Sequence, residues 1–224
     1  MLKISDAWKT AYPDARLGLL VMRDVINPPQ HAGLEEHRKA LNAELRARYA
    51  GQERPALLTN PVLKAYETYY KRFKKTYHVQ LQLESILFRG TSIPRVAALV
   101  EAMFMAEMDT LLLTAGHDLD ALVLPITLDV TQGDEPYTLL RGVEQATKAG
   151  DMLIRDGAGI ISSVLYGPDE RTQISARTKN VIFTVYVPAG IAETAIDQHL
   201  QAIQQNVLLI APRAQTEMLQ VLGS

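Results

Sequence analysis

The sequence predicts an α+β fold, with helices in the first half and antiparallel or mixed strands in the second. Three observations carry that expectation. Amphipathic periodicity near 3.6 residues concentrates before residue 110, and short apolar or alternating runs bounded by turn residues follow it. Helices therefore precede strands instead of alternating with them, which argues against a parallel α/β array. No internal repeat or Gly/Ser-rich linker divides the 224 residues, so residues 1–224 are expected to form one domain, long enough to bury a substantial core.

In chain order, ARLGLLVMRDV (Ala15 to Val25) is a continuous apolar run and reads as a buried strand. NPPQ breaks the chain, and Leu34, Leu41, Leu45 and Tyr49, with charges between them, mark an amphipathic helix. GQERPALLTNP reads as a loop. Asn60 then caps a helix with Pro61 at its first position. That helix, PVLKAYETYYKRFKKTYH, spaces Tyr66, Tyr69, Tyr70, Phe73 and Tyr77 at three and four residues. LQLESILFRGTS is a second short helix ended by Gly90, and a third starts at Pro94 with PRVAALVEAMFMAEM, apolar around most of its circumference. Asp109 to Ala115 is extended. GHDLDALVLPITLDV and PYTLL are strands, and AGDMLIRDGAGIISSVLYG is a hairpin turning at Asp156-Gly157. After the polar stretch YGPDERTQISARTKN comes the strand NVIFTVYVPAG. A helix from about Ile191 to Asn206, then VLLIAP and a short closing helix, complete the chain.

Composition narrows the function classes. At 47% apolar and 21% charged, with net charge −2, the chain is an ordinary globular sequence. It lacks the broad basic field that grips a phosphate backbone, so nucleic acid would be met locally or at an end. The absence of cysteine excludes disulfides and thiolate chemistry and suits a reducing cytoplasm. The N-terminus lacks the charge-then-apolar order of a signal peptide, and no run reaches the ~20 apolar residues of a membrane helix. No P-loop, GxGxxG, HExxH or GxSxG is present, and His31, His37, His78, His117 and His199 have no ligand spacing. Neither a metal nor another cofactor is expected.

Three polar features invite a functional reading, each against a plainer one. In GHDLDAL, His117 stands beside Asp118 and Asp120, an arrangement for a histidine that titrates near neutrality; the alternative is an Asp118-capped turn. In PDERT, Asp169, Glu170 and Arg171 precede the hydroxyls of Thr172 and Thr178, able to hold a water or an ammonium group; the alternative is a solvated loop. Lys64, Lys71, Arg72, Lys74 and Lys75 interleave with aromatics, as in a nucleic-acid-binding helix; the alternative buries the aromatics and leaves the lysines in water.

Taken together, NPVLKAYETYYKRFKKTYH, ESILFRGTSIPRVAALVEAMF, TAGHDLDAL and GDMLIRDGAGIISSVLYGPDERTQISARTKNVIF resemble, in that order, a stand-alone B3/B4 domain protein. Such proteins are similar to the B3/B4 domain of the phenylalanyl-tRNA synthetase beta subunit. The resemblance implies a three-layer sandwich whose cleft edits mis-aminoacylated tRNA, and it makes an aminoacyl-tRNA 3′ end, or a free amino acid, the first candidate ligand.

Carried over position by position, the resemblance puts Glu170 on the editing-site glutamate, Thr172 on a small hydroxyl position, and Thr178 and Asn180 on the residues entering the next strand. Asp118, Leu119, Asp120 and Leu122 match the family's PLHAFDLDKL, but its histidine position is Ala115 here. His117 lies two residues on, with the same strand parity and about 6–7 Å away. The asparagine of the family's VDxxN pattern is Phe104. The resemblance thus implies Glu170 and His117 as catalytic residues, with Arg89, Thr91, Ser92, Asp118, Arg171 and Thr172 binding substrate. Lys71, Arg72, Lys74 and Lys75 would contact RNA. Two functions stay open: an aminoacyl-tRNA ester hydrolase needing mainly a positioned water, and a non-catalytic module that binds an amino acid, a tRNA end or a protein.

Overall fold

The computed structural model describes residues 2–223. A short strand β1 (Leu2–Ile4) and helix α1 (Asp6–Ala11) lead into β2 (Arg16–Arg23). Five helices follow: α2 (Ala32–Arg48), α3 (Arg54–Leu57), α4 (Pro61–Lys71), α5 (His78–Phe88) and α6 (Ala98–Thr110). Then come β3 (Leu113–Asp118), a 3₁₀ turn (Leu119–Ala121), β4 (Ile126–Val130), the hairpin β5 (Pro136–Thr138) and β6 (Glu144–Ala146), and β7 (Met152–Asp156), β8 (Gly159–Ser163) and β9 (Gly167–Pro168). The chain closes with β10 (Val181–Val187), α7 (Glu193–Ile210) and β11 (Gln215–Gly223).

The fold is α+β in three layers. One sheet runs β11-β2-β10-β3, all antiparallel; the other runs β1-β4-β7-β8-β9. Strand alternation splits the first sheet cleanly. Leu17, Leu19, Ile182, Thr184 and Tyr186 face the second sheet, where the Tyr186 hydroxyl meets Ser162 Oγ. Gly18, Leu20, Phe183 and Val185 face the helices. A side chain at Gly18 would meet Ile196 of α7 at 2.9 Å, so its absence lets α7 lie close to the sheet. Ile196, Leu200, Ile203, Val207 and Ile210 form the buried stripe of α7, and α7 packs along α6.

The aromatic residues of α4 are core. Tyr66, Tyr69, Tyr70, Phe73 and Tyr77 are buried, and Tyr66 stacks on Tyr77 with ring centroids 4.2 Å apart. The hydroxyl of Tyr66 sits at the end of the β3–β10 ladder, accepting the Leu113 N–H at 2.9 Å and donating to the Tyr186 carbonyl. Buried phenols thus satisfy backbone groups that the sheet leaves open.

Several elements differ from the sequence expectation. The α4 helix stops at Lys71, because Lys74 takes a left-handed φ of 56°, and residues from His78 onward belong to α5. The third helix begins at Ala98, not Pro94: the Leu99 N–H is capped by Asn27 Oδ1 at 2.9 Å, a partner distant in sequence. It runs on through Thr110, so only Leu113 onward is strand. The run VLLI continues α7, since Val207 and Ile210 extend its stripe. The expected closing helix is the strand β11, which pairs with the free edge of β2; tertiary pairing overrides local preference there. The loop after α2 contains the single turn α3. Asn60 caps α4 as expected, accepting the N–H groups of Val62 and Leu63.

Candidate functional site

A cavity of about 320 Å³ opens at the free edge of β3. Its walls are α5 (His78, Gln82), α6 (Val100, Met103, Phe104, Glu107) and β3 (Leu113 to Gly116). Ser163 and Val164, Gly167 and Pro168, Tyr186, and the side chains of Gln173, Ile174 and Leu140 complete it. Most of this lining is apolar.

Edge geometry explains the polar groups that remain. In β3 the amides of Thr114 and Asp118 turn away from β10: Thr114 N–H donates to Glu107 Oε1 at 2.7 Å, and Asp118 N–H to the Thr172 carbonyl at 2.8 Å. Gly116 lies midway between them, so its N–H and C=O turn the same way, on the cavity side. A Cβ at Gly116 would meet Ile174 Cδ1 at 2.8 Å, so glycine keeps this backbone within reach of a ligand. Glu107 is buried and has no cationic partner among the described residues; burial pushes its carboxyl up to about 8. The Gln82 Nε2 atom is buried without a hydrogen-bond partner among the described residues.

The polar stretch from Tyr166 to Asn180 forms a clasp of paired side chains. Thr172 Oγ1 donates to Asp169 and lies 2.8 Å from His117 Nδ1. Arg171 bonds Asp156 at 2.8 Å and the Ala121 carbonyl at 3.0 Å. Thr178 donates to Asp118 at 2.7 Å, and Asn180 to Asp120 at 2.8 Å. These bonds tie the loop to the end of β3 and to the β7–β8 turn, where Asp156 also accepts the Ala158 N–H.

This placement bears on each expected site residue. His117 is completely buried, and burial lowers its imidazole to about 3. The histidine expected to titrate near neutrality is instead held neutral in the interior. Glu170 is exposed, with its backbone N–H on the Thr138 carbonyl. Neither His117 nor Glu170 lines the cavity. Asp118, Arg171 and Thr172 belong to the clasp. Arg89, Thr91 and Ser92 are exposed where α5 ends, and the Thr91 carbonyl accepts from Arg46 at 2.7 Å.

The basic segment follows the plainer alternative, because its rings are core and unavailable for stacking on bases. Lys71 pairs with Glu67 at 2.9 Å, Arg72 lies over the rings of Tyr12 and Phe73, Lys74 is exposed, and Lys75 sits 4.4 Å above the ring of Tyr166. Among the described residues no group of three or more His, Cys, Asp or Glu could hold a metal ion, and no helix is long and apolar enough to cross a membrane.

The family model of the B3/4 domain matches residues 63–207, which hold the cavity and the clasp. The chain belongs to the B3/4 domain family. No curated protein matches it. Among solved structures, this B3/4 chain is similar to an N-terminal fragment of the phenylalanyl-tRNA synthetase beta subunit from Pyrococcus horikoshii. The identity is 10% and the TM-score 0.47, covering 97% of this chain and 54% of that one. The chain thus spans about half the length of that fragment. Within the B3/4 match, Ala115 and Phe104, two of the positions where the resemblance implies polar residues, both line the cavity. The residues missed by sequence reasoning, Glu107 and Gln82, also line it. Their only signal was polarity within helical runs.

Proposed function

We propose that this B3/4 chain is a binding module for an aminoacyl group, with the amino-acid side chain in the β3-edge cavity and the tRNA end outside. The observation that carries the reading is that Ala115 and Phe104, which match the polar editing positions of the family, both face the cavity. Binding is favoured over hydrolysis by what stands there. Two apolar residues replace polar ones, and Glu107, held protonated at neutral pH, is no base for water. The basic turn from Lys71 to Lys75 supplies positive charge for a tRNA end: Lys75 lies on Tyr166, next to Gly167 and Pro168 of the cavity wall. We also take residues 1–224 to act as one unit, since β1 and β2, outside the family match, pair with β4 and β10 inside it.

Hydrolysis is the second reading, and one feature favours it: the Gly116 N–H turned toward the cavity is a donor of the kind that stabilises a developing oxyanion. One experiment decides between them. The protein is incubated with phenylalanine tRNA mischarged with tyrosine and with a panel of other mischarged tRNAs, measuring retention and ester loss together. Binding at the uncatalysed rate of ester loss is expected. Accelerated loss establishes the hydrolase, and neither retention nor loss removes both.

A further inference from the structure

We propose that Glu107 makes the cavity selective for a primary ammonium group on an apolar body that carries no carboxylate: an esterified or amidated amino acid, or the corresponding amine. The inference rests on reading the cavity as an aminoacyl site and adds its anchoring residue and its charge rule.

The argument is one of charge balance in a confined space. Glu107 is the one carboxyl in the lining, and among the described residues no lysine or arginine joins it. One of its oxygens, Oε1, is held by the Thr114 N–H at 2.7 Å, which fixes the group at the cavity wall. An entering ammonium would find a counter-ion in a site of low polarity, where opposite charges attract more strongly than in water. A free carboxylate would find none, and burying it unpaired is costly. The amide of Gln82, buried and unpartnered at Nε2, and the Gly116 N–H offer donors to a neutral carbonyl oxygen. Esterification is the change that turns a zwitterion into a cation with such a carbonyl. The site therefore distinguishes an activated amino acid from the free one without touching the nucleotide.

The groups facing Glu107 leave it as the titrating element. The phenols of Tyr66, Tyr70 and Tyr77, which sense the Glu107 charge, and of Tyr186 on β10 are raised by burial and stay neutral. His199 of α7 hydrogen-bonds Thr110 and Thr114, and burial keeps it neutral. On other turns of α6, Glu101 and Asp109 are paired with Arg38 and Arg48. His78 of α5 lines the cavity as well. Because the empty site holds Glu107 protonated up to about pH 8, capturing a cation releases a proton. Affinity for an amine that stays charged rises with pH, approaching tenfold per unit below 8.

Isothermal titration with phenethylamine, phenylalaninamide, free phenylalanine and 3-phenylpropionamide tests this. The first two are expected to bind at least tenfold tighter than the last two. Phenethylamine should tighten from pH 6 to 8 with buffer-dependent heats of proton release, in the parent and in His78→Gln. Glu107→Gln, which keeps an acceptor for Thr114, should lose at least tenfold and the pH slope. Free phenylalanine binding as well as its amide, or a flat pH profile in the parent, overturns the proposal. If the amide binds the parent and Glu107→Gln equally, the charge rule falls and the aminoacyl reading stands. If neither the panel nor a 3′-aminoacylamino-adenosine binds, both fall.

Discussion

The Glu107 carboxyl accepts the backbone N–H of Thr114 at 2.7 Å, joining the buried face of α6 to the free edge of β3. That contact fixes Glu107 at the wall of the cavity and gives its buried carboxyl a backbone partner. Ala115 and Phe104, where the family resemblance implies polar groups, line the same cavity.

The clasp predicts a structural cost at Thr172. Its hydroxyl serves both Asp169 and His117, all three buried. Thr172→Val should destabilise the protein by about 1–3 kcal/mol, because two polar groups lose a partner in the interior. Thr172→Ser should return most of it. Urea unfolding of the three proteins measures this, and equal midpoints would show the clasp to be energetically idle.

Stability should fall on both sides of mild acidity. His117 and His199 stay unprotonated in the fold down to about pH 3, whereas in the unfolded chain they protonate near 6.5. Their contribution is present above 6.5 and is lost as pH falls toward 3, by about 1.4 kcal/mol per pH unit for each. Glu107 has the opposite sign. Raised from 4.5 to about 8, it contributes fully below 4.5 and loses that contribution as pH rises through 8. Urea midpoints from pH 4 to 9 should trace both limbs. Glu107→Gln should flatten the alkaline one.

Glu170→Ala should be silent. The side chain is exposed, with no partner among the described residues, and lies outside the cavity. A stability change within about 0.5 kcal/mol is expected, with unchanged affinity for aminoacyl analogues. A loss of binding of tenfold or more would return Glu170 to the site.

Charge reversal should separate the tRNA end from the amino acid. Lys71→Glu with Lys74→Glu removes positive charge at the α4 terminus and leaves the cavity wall intact. Filter binding of aminoacyl-tRNA should weaken several-fold and become less salt-dependent, while titration of a small aminoacyl analogue should not change. Equal effects on both ligands would contradict this division.

Much of the fold was legible. The apolar run around Leu17 to Met22, the Asn60-Pro61 helix start and the Asp156-Gly157 hairpin each carry a local signal, and each is where that signal puts it. The errors lie where distant partners decide. Asn27 caps α6 from 72 positions away in the chain, and β11 becomes a strand because β2 has a free edge. The site was legible in part. The resemblance singled out Ala115 and Phe104, which line the cavity, but the matched Glu170 and the neighbouring His117 drew attention to the clasp. Glu107 went unnoticed because nothing in MFMAEM distinguishes an inward-facing acid from an outward-facing one. Only the β3 edge, visible in three dimensions, turns it inward.

The central claim, that the β3-edge cavity holds the aminoacyl group, is tested most directly by titrating a 3′-aminoacylamino-adenosine into the parent and into Ala115→Phe. The new ring would occupy the cavity of about 320 Å³, and thermal melting checks that the variant folds. Saturable binding to the parent, lost in the folded variant, is the predicted result. Binding of equal strength to both would place the ligand elsewhere and contradict the account.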